Sequence, residues 1–274
     1  MALSFPAGLA AQIAPYLPPA SSSSPSSGHE DASRPFVTLT FATSLDASLA
    51  LAPGVQTHLS GPLSKAMTHH LRAHHSAILV GVSTAVADDP GLNCRLEGAD
   101  LARQPLPIVL DPHARWEVSE NSRVVQTAKN GKGRAPIILT ARDVVAKNDI
   151  HDDSSILQRQ RLLEQYGGGY ITVPARDGRF RWEDVLAALQ RLGVRSVMVE
   201  GGGRVINSLL EEEQQGLVDA VVVTIAPTWL GQGGVVVSPQ RTTTATATAG
   251  FVPPRLRDVT WVPMGEDVVV CGRL

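Results

Sequence analysis

Five short, almost uninterrupted apolar runs constrain this chain more than anything else in it: "AILVG" from Ala77, "LPIVL" from Leu106, "PIILT" from Pro136, "VMV" from Val197 and "AVVVTI" from Ala220. Each is too short for a buried helix and lacks the apolar–polar alternation of a strand with one wet face. Such runs are strands buried on both sides. Between them lie stretches of helical period, such as "GPLSKAMTHHLRAHH", with Met67 and Leu71 four apart, "RWEDVLAALQRLGV" and "RVINSLL". Ser64 is the cap candidate for the first of these helices. Strands alternating with helices predict an α/β fold: a mainly parallel mixed sheet with helices on both faces. The closing "DVTWVPMGEDVVVCGRL" reads as an antiparallel hairpin at one edge, and "FVTLTFATSLDASLA" as a β-branched strand turning at Asp46. "TAKNGKGRAP", "AKNDIHDDSSILQ" and "SPQRTTTATATAG" read as surface excursions.

Composition removes several classes of function. At 274 residues, with 43% apolar residues and net charge −2, the chain describes an ordinary globular protein with neither the basic excess nor the aromatic platforms of a nucleic-acid binder. No apolar run approaches a membrane span. Cys94 and Cys271 stand alone, as in a reducing, cytoplasmic compartment. Residues 1–34 read as a low-complexity extension ahead of a domain covering 35–274, with a Ser-rich linker at 20–33. Removing residues 1–33 is expected to leave cofactor binding intact, although the apolar piece at 9–17 could pack as a helix on the body or on a partner.

Ligands of open parallel sheets sit beyond the carboxyl ends of the strands, which here means residues 43–46, 83–95, 140–143 and 200–204. In "VMVEGGGRVINSLL" a carboxylate closes an apolar strand and three glycines lead into a helix. Glycine permits positive φ and close backbone approach, and a helix start offers free N–H groups to phosphate; a ligand-free strand-to-helix connection fits as well. Glu200 should be partly desolvated. It either caps the next helix or pairs with Arg204, or it orients a polar substrate or passes a proton. In the polar loop "VSTAVADDPGLNCRL", Thr84 suits a phosphate or ribose hydroxyl, Asp88 a ribose or a turn before Pro90, and Arg95 a phosphate. Arg72 is placed to converge with Arg95 on one anion. His70 and His74 share a helical face, but no third ligand accompanies them, and a packed or solvated face is the expected role.

In this order, "TFATSLDASLA", "LSGPLSKAMTHHLRAHHSAILVGVSTAVADDPGLNCRL", "PIVLDPHAR" and "VMVEGGGRVINSLL…VDAVVVTIAPTWLGQGG" resemble the riboflavin-pathway reductases of the dihydrofolate-reductase-like fold, from about residue 35 onward. The resemblance implies an NADPH-dependent oxidoreductase that transfers hydride to the C1′ sugar carbon of a pyrimidine ribosyl phosphate, and a homodimer. It implies that Ala42, Thr84, Asp88 and the turn Gly201, Gly202, Gly203, Arg204 hold NADPH. Arg72, Leu92, Arg95 and Glu200 would hold the substrate, the arginines on its 5′-phosphate, and Glu200 and Asp46 are the candidates for moving protons. Ala47 and Ser48 stand where many relatives carry Gly or Ser and then Arg, and His58 where bacterial relatives often carry an aromatic residue. Arg142 is the candidate for selecting the cofactor's 2′-phosphate. The zinc-deaminase pattern that bacterial relatives add is missing from the chain, so a reductase alone is expected. Two rivals stay open: a pteridine reductase of the same fold and a non-catalytic nucleotide-binding module.

Overall fold

The chain places its apolar runs side by side. The computed structural model describes residues 3–19, 34–141, 154–240 and 254–274. The strands of its main sheet are β1 (Phe36–Thr43), β3 (Ala77–Gly81), β4 (Leu106–Leu110), β5 (Ile137–Ala141), β6 (Gly169–Val173), β9 (Ser196–Gly201), β10 (Ala220–Ile225), β12 (Arg257–Met264) and β13 (Asp267–Arg273). Minor pairs form from β2 (Ser48–Ala50) with β11 (Val235–Val236), and from β7 (Ala175–Arg176) with β8 (Arg179–Phe180). The main order is β12-β13-β10-β1-β9-β3-β4-β5-β6. From β10 to β6 all pairings are parallel; β13 joins β10 and β12 joins β13 antiparallel. This is the mainly parallel mixed sheet with a C-terminal antiparallel hairpin that the apolar runs predict.

Both faces are dry because neighbouring residues of one strand point opposite ways. Val37, Leu39, Leu79, Ile108, Leu139, Val197, Val199 and Val221 pack under α6 (Trp182–Arg191) and α7 (Gly203–Leu209), against Trp182, Val185, Leu189, Ile206 and Leu209. The opposite face is covered in two patches. Over the outer strands, Ile78, Val80, Val109 and Ile138 meet Val82 and Ala85 of α3 (Val82–Asp88), Val124 and Val125 of α4 (Arg123–Lys129), and Leu163 of α5 (Ser154–Glu164). Over the inner strands, Met198, Val222 and Cys271 meet Met67 and Leu71 of α2 (Pro62–His74), together with Ile13 and Tyr16.

Several expectations need correction. The first turn of α2 is not capped by Ser64: Gly61 is the N-cap, Pro62 follows, and the cap is supplied from far along the chain. Asp267, buried at the hairpin turn, accepts from Gly61 N (2.8 Å) and Ser64 Oγ (2.6 Å). The loop after β3 begins as helix α3, because Val82 and Ala85 have apolar surface to cover. "TAKNGKGRAP" starts inside α4, and "AKNDIHDDSSILQ" ends inside α5, which crosses between parallel strands β5 and β6. Residues 142–153 and 241–253, with Arg142 among them, fall outside the described residues.

Of the two alternatives for the apolar N-terminal piece, packing on the body is the one seen. Residues 7–13 form α1 (Ala7–Ile13), and Ile13 and Tyr16 are buried at 0% and 4% exposure. The Tyr16 hydroxyl donates to the Asp258 carbonyl and pairs with Thr260 Oγ1 at 2.7 Å. Losing residues 1–33 therefore opens a hole in the core rather than trimming a tail. Ile13→Ala is expected to lower stability by about 3 kcal/mol in equilibrium urea unfolding. A loss below about 1 kcal/mol would mean that the segment rests on the body without stabilising it.

Candidate active site

The sheet order creates a crevice. After β1 the chain builds outward through β3, β4, β5 and β6, then returns to insert β9 between β1 and β3. Loops leaving adjacent parallel strands part at such a reversal, beyond their carboxyl ends. Here a cavity of about 260 Å³ opens, lined by Ala42 from the end of β1, Thr57, His58 and Ser60 from the following loop, and Arg95. Its wall is one stripe of α2: Lys65, Thr68, His69 and Arg72. These four recur at i, i+3, i+4 and i+7, so they share one helical face.

Arg72 and Glu200 form the firmest contact in the crevice. Arg72 Nε and Nη2 donate to the two carboxylate oxygens at 2.7 and 2.5 Å, and Nη1 donates to the Asn93 carbonyl at 3.0 Å. Both side chains are largely buried, 13% and 16% exposed. Burial opposes the charge on Arg72, yet the Glu200 carboxylate outweighs it and holds the guanidinium above its ordinary pKa. Glu200 thus caps no helix and does not pair with Arg204, which is exposed at the start of α7. The donors that compensate its desolvation come from α2.

Arg95 is held differently. Its backbone N–H faces His69 Nδ1 at 3.1 Å, while Nε and Nη2 face Nε2 of the same ring at 3.2 and 3.0 Å. His69 is 2% exposed, and burial, then Arg72, Arg95 and Lys65, push its pKa down to about 3. The ring is therefore neutral and has one lone pair, so only one of its edges accepts at a time. Burial, then Arg72 and Arg123, lowers the pKa of Arg95 itself. Among the described residues, neither Arg95 nor Lys65 has a carboxylate within ion-pair distance. This end of the crevice carries uncompensated positive charge and favours an anion.

The glycine turn follows Glu200 directly in the chain. Gly201 and Gly202 have φ of +112° and +66°, outside the range most side chains tolerate. A Cβ on Gly202 would sit 2.9 Å from Thr84 Oγ1, and one on Gly203 would sit 2.4 Å from Val235 Cγ1. The turn is thus pressed against α3, where Thr84 and Asp88 share a face. Burial raises the pKa of Asp88, with His58 pulling the other way.

Residues 35–270 match the family model described as the RibD C-terminal domain. The chain belongs to that family. It is 39% identical over 245 residues to the 2,5-diamino-6-ribosylamino-4(3H)-pyrimidinone 5′-phosphate reductase of Debaryomyces hansenii, covering 88% of this chain and 90% of the relative. To the protein of the same name from Saccharomyces cerevisiae it is 36% identical over 243 residues, 88% and 87% of the two chains. A solved structure of the S. cerevisiae riboflavin biosynthesis reductase superposes with a TM-score of 0.71 at 32% identity, covering 97% of this chain and 99% of that one.

Within this RibD C-terminal domain the fold lines the cavity with Ala42, Arg72 and Arg95, brings Glu200 to it through Arg72, and sets Thr84 of α3 beside the turn at Gly202. Two expected residues stand apart. Leu92 is 2% exposed with φ +45°, its side chain packed in the core beneath α3 and α4. Asp46 accepts from the Ser44 hydroxyl and from the backbone N–H groups of Leu230 and Gly231 (3.2 and 2.8 Å). Those bonds, Ser44 first, hold its carboxyl below the usual range, so it stays ionised while it latches two loops and has no proton to donate at neutral pH. Lys65, Thr68 and His69 are functional candidates that the sequence reading passes over, although their helical spacing to Arg72 was there to be read. His70 and His74 pack against each other with centroids 4.3 Å apart and ring planes tilted by 47°.

Gly202→Ala tests the turn. The strained φ and the push on Thr84 are expected to weaken NADPH binding by about tenfold or more in a fluorescence titration, with a folded far-ultraviolet spectrum. Parent-like affinity in that variant would reduce the glycines to a chain connection.

Proposed function

We propose that this chain reduces 2,5-diamino-6-ribosylamino-4(3H)-pyrimidinone 5′-phosphate with NADPH, turning the ribosylamino group into ribitylamino in riboflavin biosynthesis. One observation carries the reading at the site: Lys65 and Arg95, which have no carboxylate partner among the described residues, stand beside a buried neutral His69 and the Arg72–Glu200 pair. A sugar phosphate matches that charge, and a pteridine does not need it. The names carried by the relatives above point the same way.

The Gly201–Gly202 cradle, where a Cβ would crowd Thr84, suits a pyrophosphate, with Asp88 available to accept from a ribose hydroxyl. When bound, NADPH supplies the hydride for the C1′ carbon of the ring-opened imine, whose nitrogen takes up a proton. The protein's own share is placement. Arg95 and Lys65 hold the phosphate. Each Glu200 oxygen keeps a lone pair beyond its bond to Arg72 and can accept from polar atoms of the pyrimidine. With Asp46 tied up as a latch, positioning contributes more than strong acid catalysis from the side chains. The homodimer also belongs to this proposal, supported by Val259 and Trp261, 42% and 58% exposed on edge strand β12. So does a cytoplasmic setting, supported by the free cysteines.

Arg95→Ala tests the reading. Losing a charge-assisted phosphate contact is worth about 2 kcal/mol, roughly thirtyfold in kcat/KM. The loss should vanish with a substrate lacking its 5′-phosphate, and NADPH affinity should not change. A variant that loses NADPH binding instead, and treats both substrate forms like the parent, would assign Arg95 to the cofactor.

A further inference from the structure

The loop after α3 is held one residue at a time. Arg72 Nη1 holds the Asn93 carbonyl at 3.0 Å. Gln104 holds both backbone groups of Cys94, accepting from its N–H at 2.8 Å and donating to its carbonyl at 3.0 Å. At Arg95 the anchor changes, and the segment that takes over lies outside the family domain. Leu3 N–H donates to the Arg95 carbonyl at 3.0 Å, and Glu97 N–H donates to the Leu3 carbonyl at 2.9 Å, a parallel bridge to Leu96. Two residues on, Phe5 packs against His70, ring centroids 5.0 Å apart, next to the His69 that faces the Arg95 guanidinium. The segment is itself fastened to the body by buried Ile13 and Tyr16 and by Arg273, whose Nη2 donates to the Pro15 carbonyl at 2.7 Å.

We propose that residues 3–16 are part of the substrate site: Leu3 and Phe5 are positioning residues that set where Arg95 presents its guanidinium to the phosphate. This rests on the reading that Arg95 meets the substrate's phosphate. The physical basis is the backbone. Arg95 has a long side chain, and an arginine grips a phosphate in a fixed fork only if its Cα is fixed as well. His69 constrains the head of that side chain, and Leu3 constrains its root. Without Leu3, the backbone groups of Arg95 and Glu97 named here turn to water and the loop is free to shift, although the fold keeps its buried anchor at Ile13 and Tyr16. Displacements of about an ångström in a positioning group are enough to reduce catalysis by one to two orders of magnitude.

The experiment compares Leu3→Pro, which deletes the N–H donor, and Phe5→Ala with the parent, Leu3→Val and Arg95→Ala. Each is assayed with the 5′-phosphorylated substrate and its dephosphorylated form at saturating NADPH, alongside thermal melting and amide exchange at Glu97. Leu3→Pro is expected to raise KM for the phosphorylated form by roughly tenfold with kcat within about twofold. The dephosphorylated form, NADPH affinity and melting temperature should stay near the parent, Glu97 should exchange faster, and Leu3→Val should behave as the parent. A KM unchanged in Leu3→Pro and Phe5→Ala, or raised equally for both substrate forms, overturns the proposal while a large Arg95→Ala effect leaves the phosphate reading standing. If Arg95→Ala itself leaves the preference for the phosphorylated form intact, the reading fails and the proposal falls with it.

Discussion

The pairing of Arg72 with Glu200 is the contact on which the site depends. It joins the last turn of helix α2 to the end of a buried strand, and the two residues are 128 positions apart in sequence. Removing one partner from such a pair leaves the other charged and poorly solvated, a loss of roughly 3–5 kcal/mol. The pair also fixes the rotation of α2 about its axis, and with it the direction of Lys65, Thr68 and His69. Both ends of that helix are tied down accordingly. Asp267 caps the start, and His75 closes the end: its Nδ1 bonds the Leu71 carbonyl and its Nε2 meets Thr38 Oγ1, both at 2.7 Å. Burial drives the pKa of His75 down to about 4, so the ring stays neutral in that role.

Charge is then sorted along the crevice. The Arg72–Glu200 pair is internally balanced and offers directional hydrogen bonding more than net charge. Arg95 and Lys65 keep theirs, because the nearest titratable ring, His69, is held neutral beside them. The glycine turn after Glu200 has no side chains to present at 201–203, and its packing against Thr84 and Val235 explains why it cannot acquire any. The cavity thereby offers cations and directional hydrogen bonding, and the turn after Glu200 offers bare backbone.

Much of this was legible in the sequence, for identifiable reasons. All-apolar runs announce strands buried on both faces, and the antiparallel hairpin announces itself by its turn at Gly265. The glycine turn and the two arginines could be named as candidates because few other residue types suit those tasks. What escaped was set by distant partners. Ser64 has the chemistry of a cap, but Asp267, 203 residues later, uses its hydroxyl as a donor. "VSTAVAD" is only seven residues long and mixes β-branched and small residues, and it becomes helix α3 because Val82 and Ala85, three apart, meet the sheet. Glu200 could not be matched to Arg72 before the topology set α2 over the end of β9. The N-terminal piece, read together with the Ser-rich tract, proved to have its own buried side chains.

The central claim of the proposed function is that phosphate and cofactor lie on opposite sides of the Arg72–Glu200 pair. A crystal structure with NADP⁺ and the ribitylamino product bound tests it most directly. The account predicts the product's 5′-phosphate within hydrogen-bond distance of Arg95, its pyrimidine against Glu200, and the cofactor's pyrophosphate on the backbone of residues 201–204. A product phosphate seated on the glycine turn, or an Arg95 that contacts only the cofactor, would contradict it.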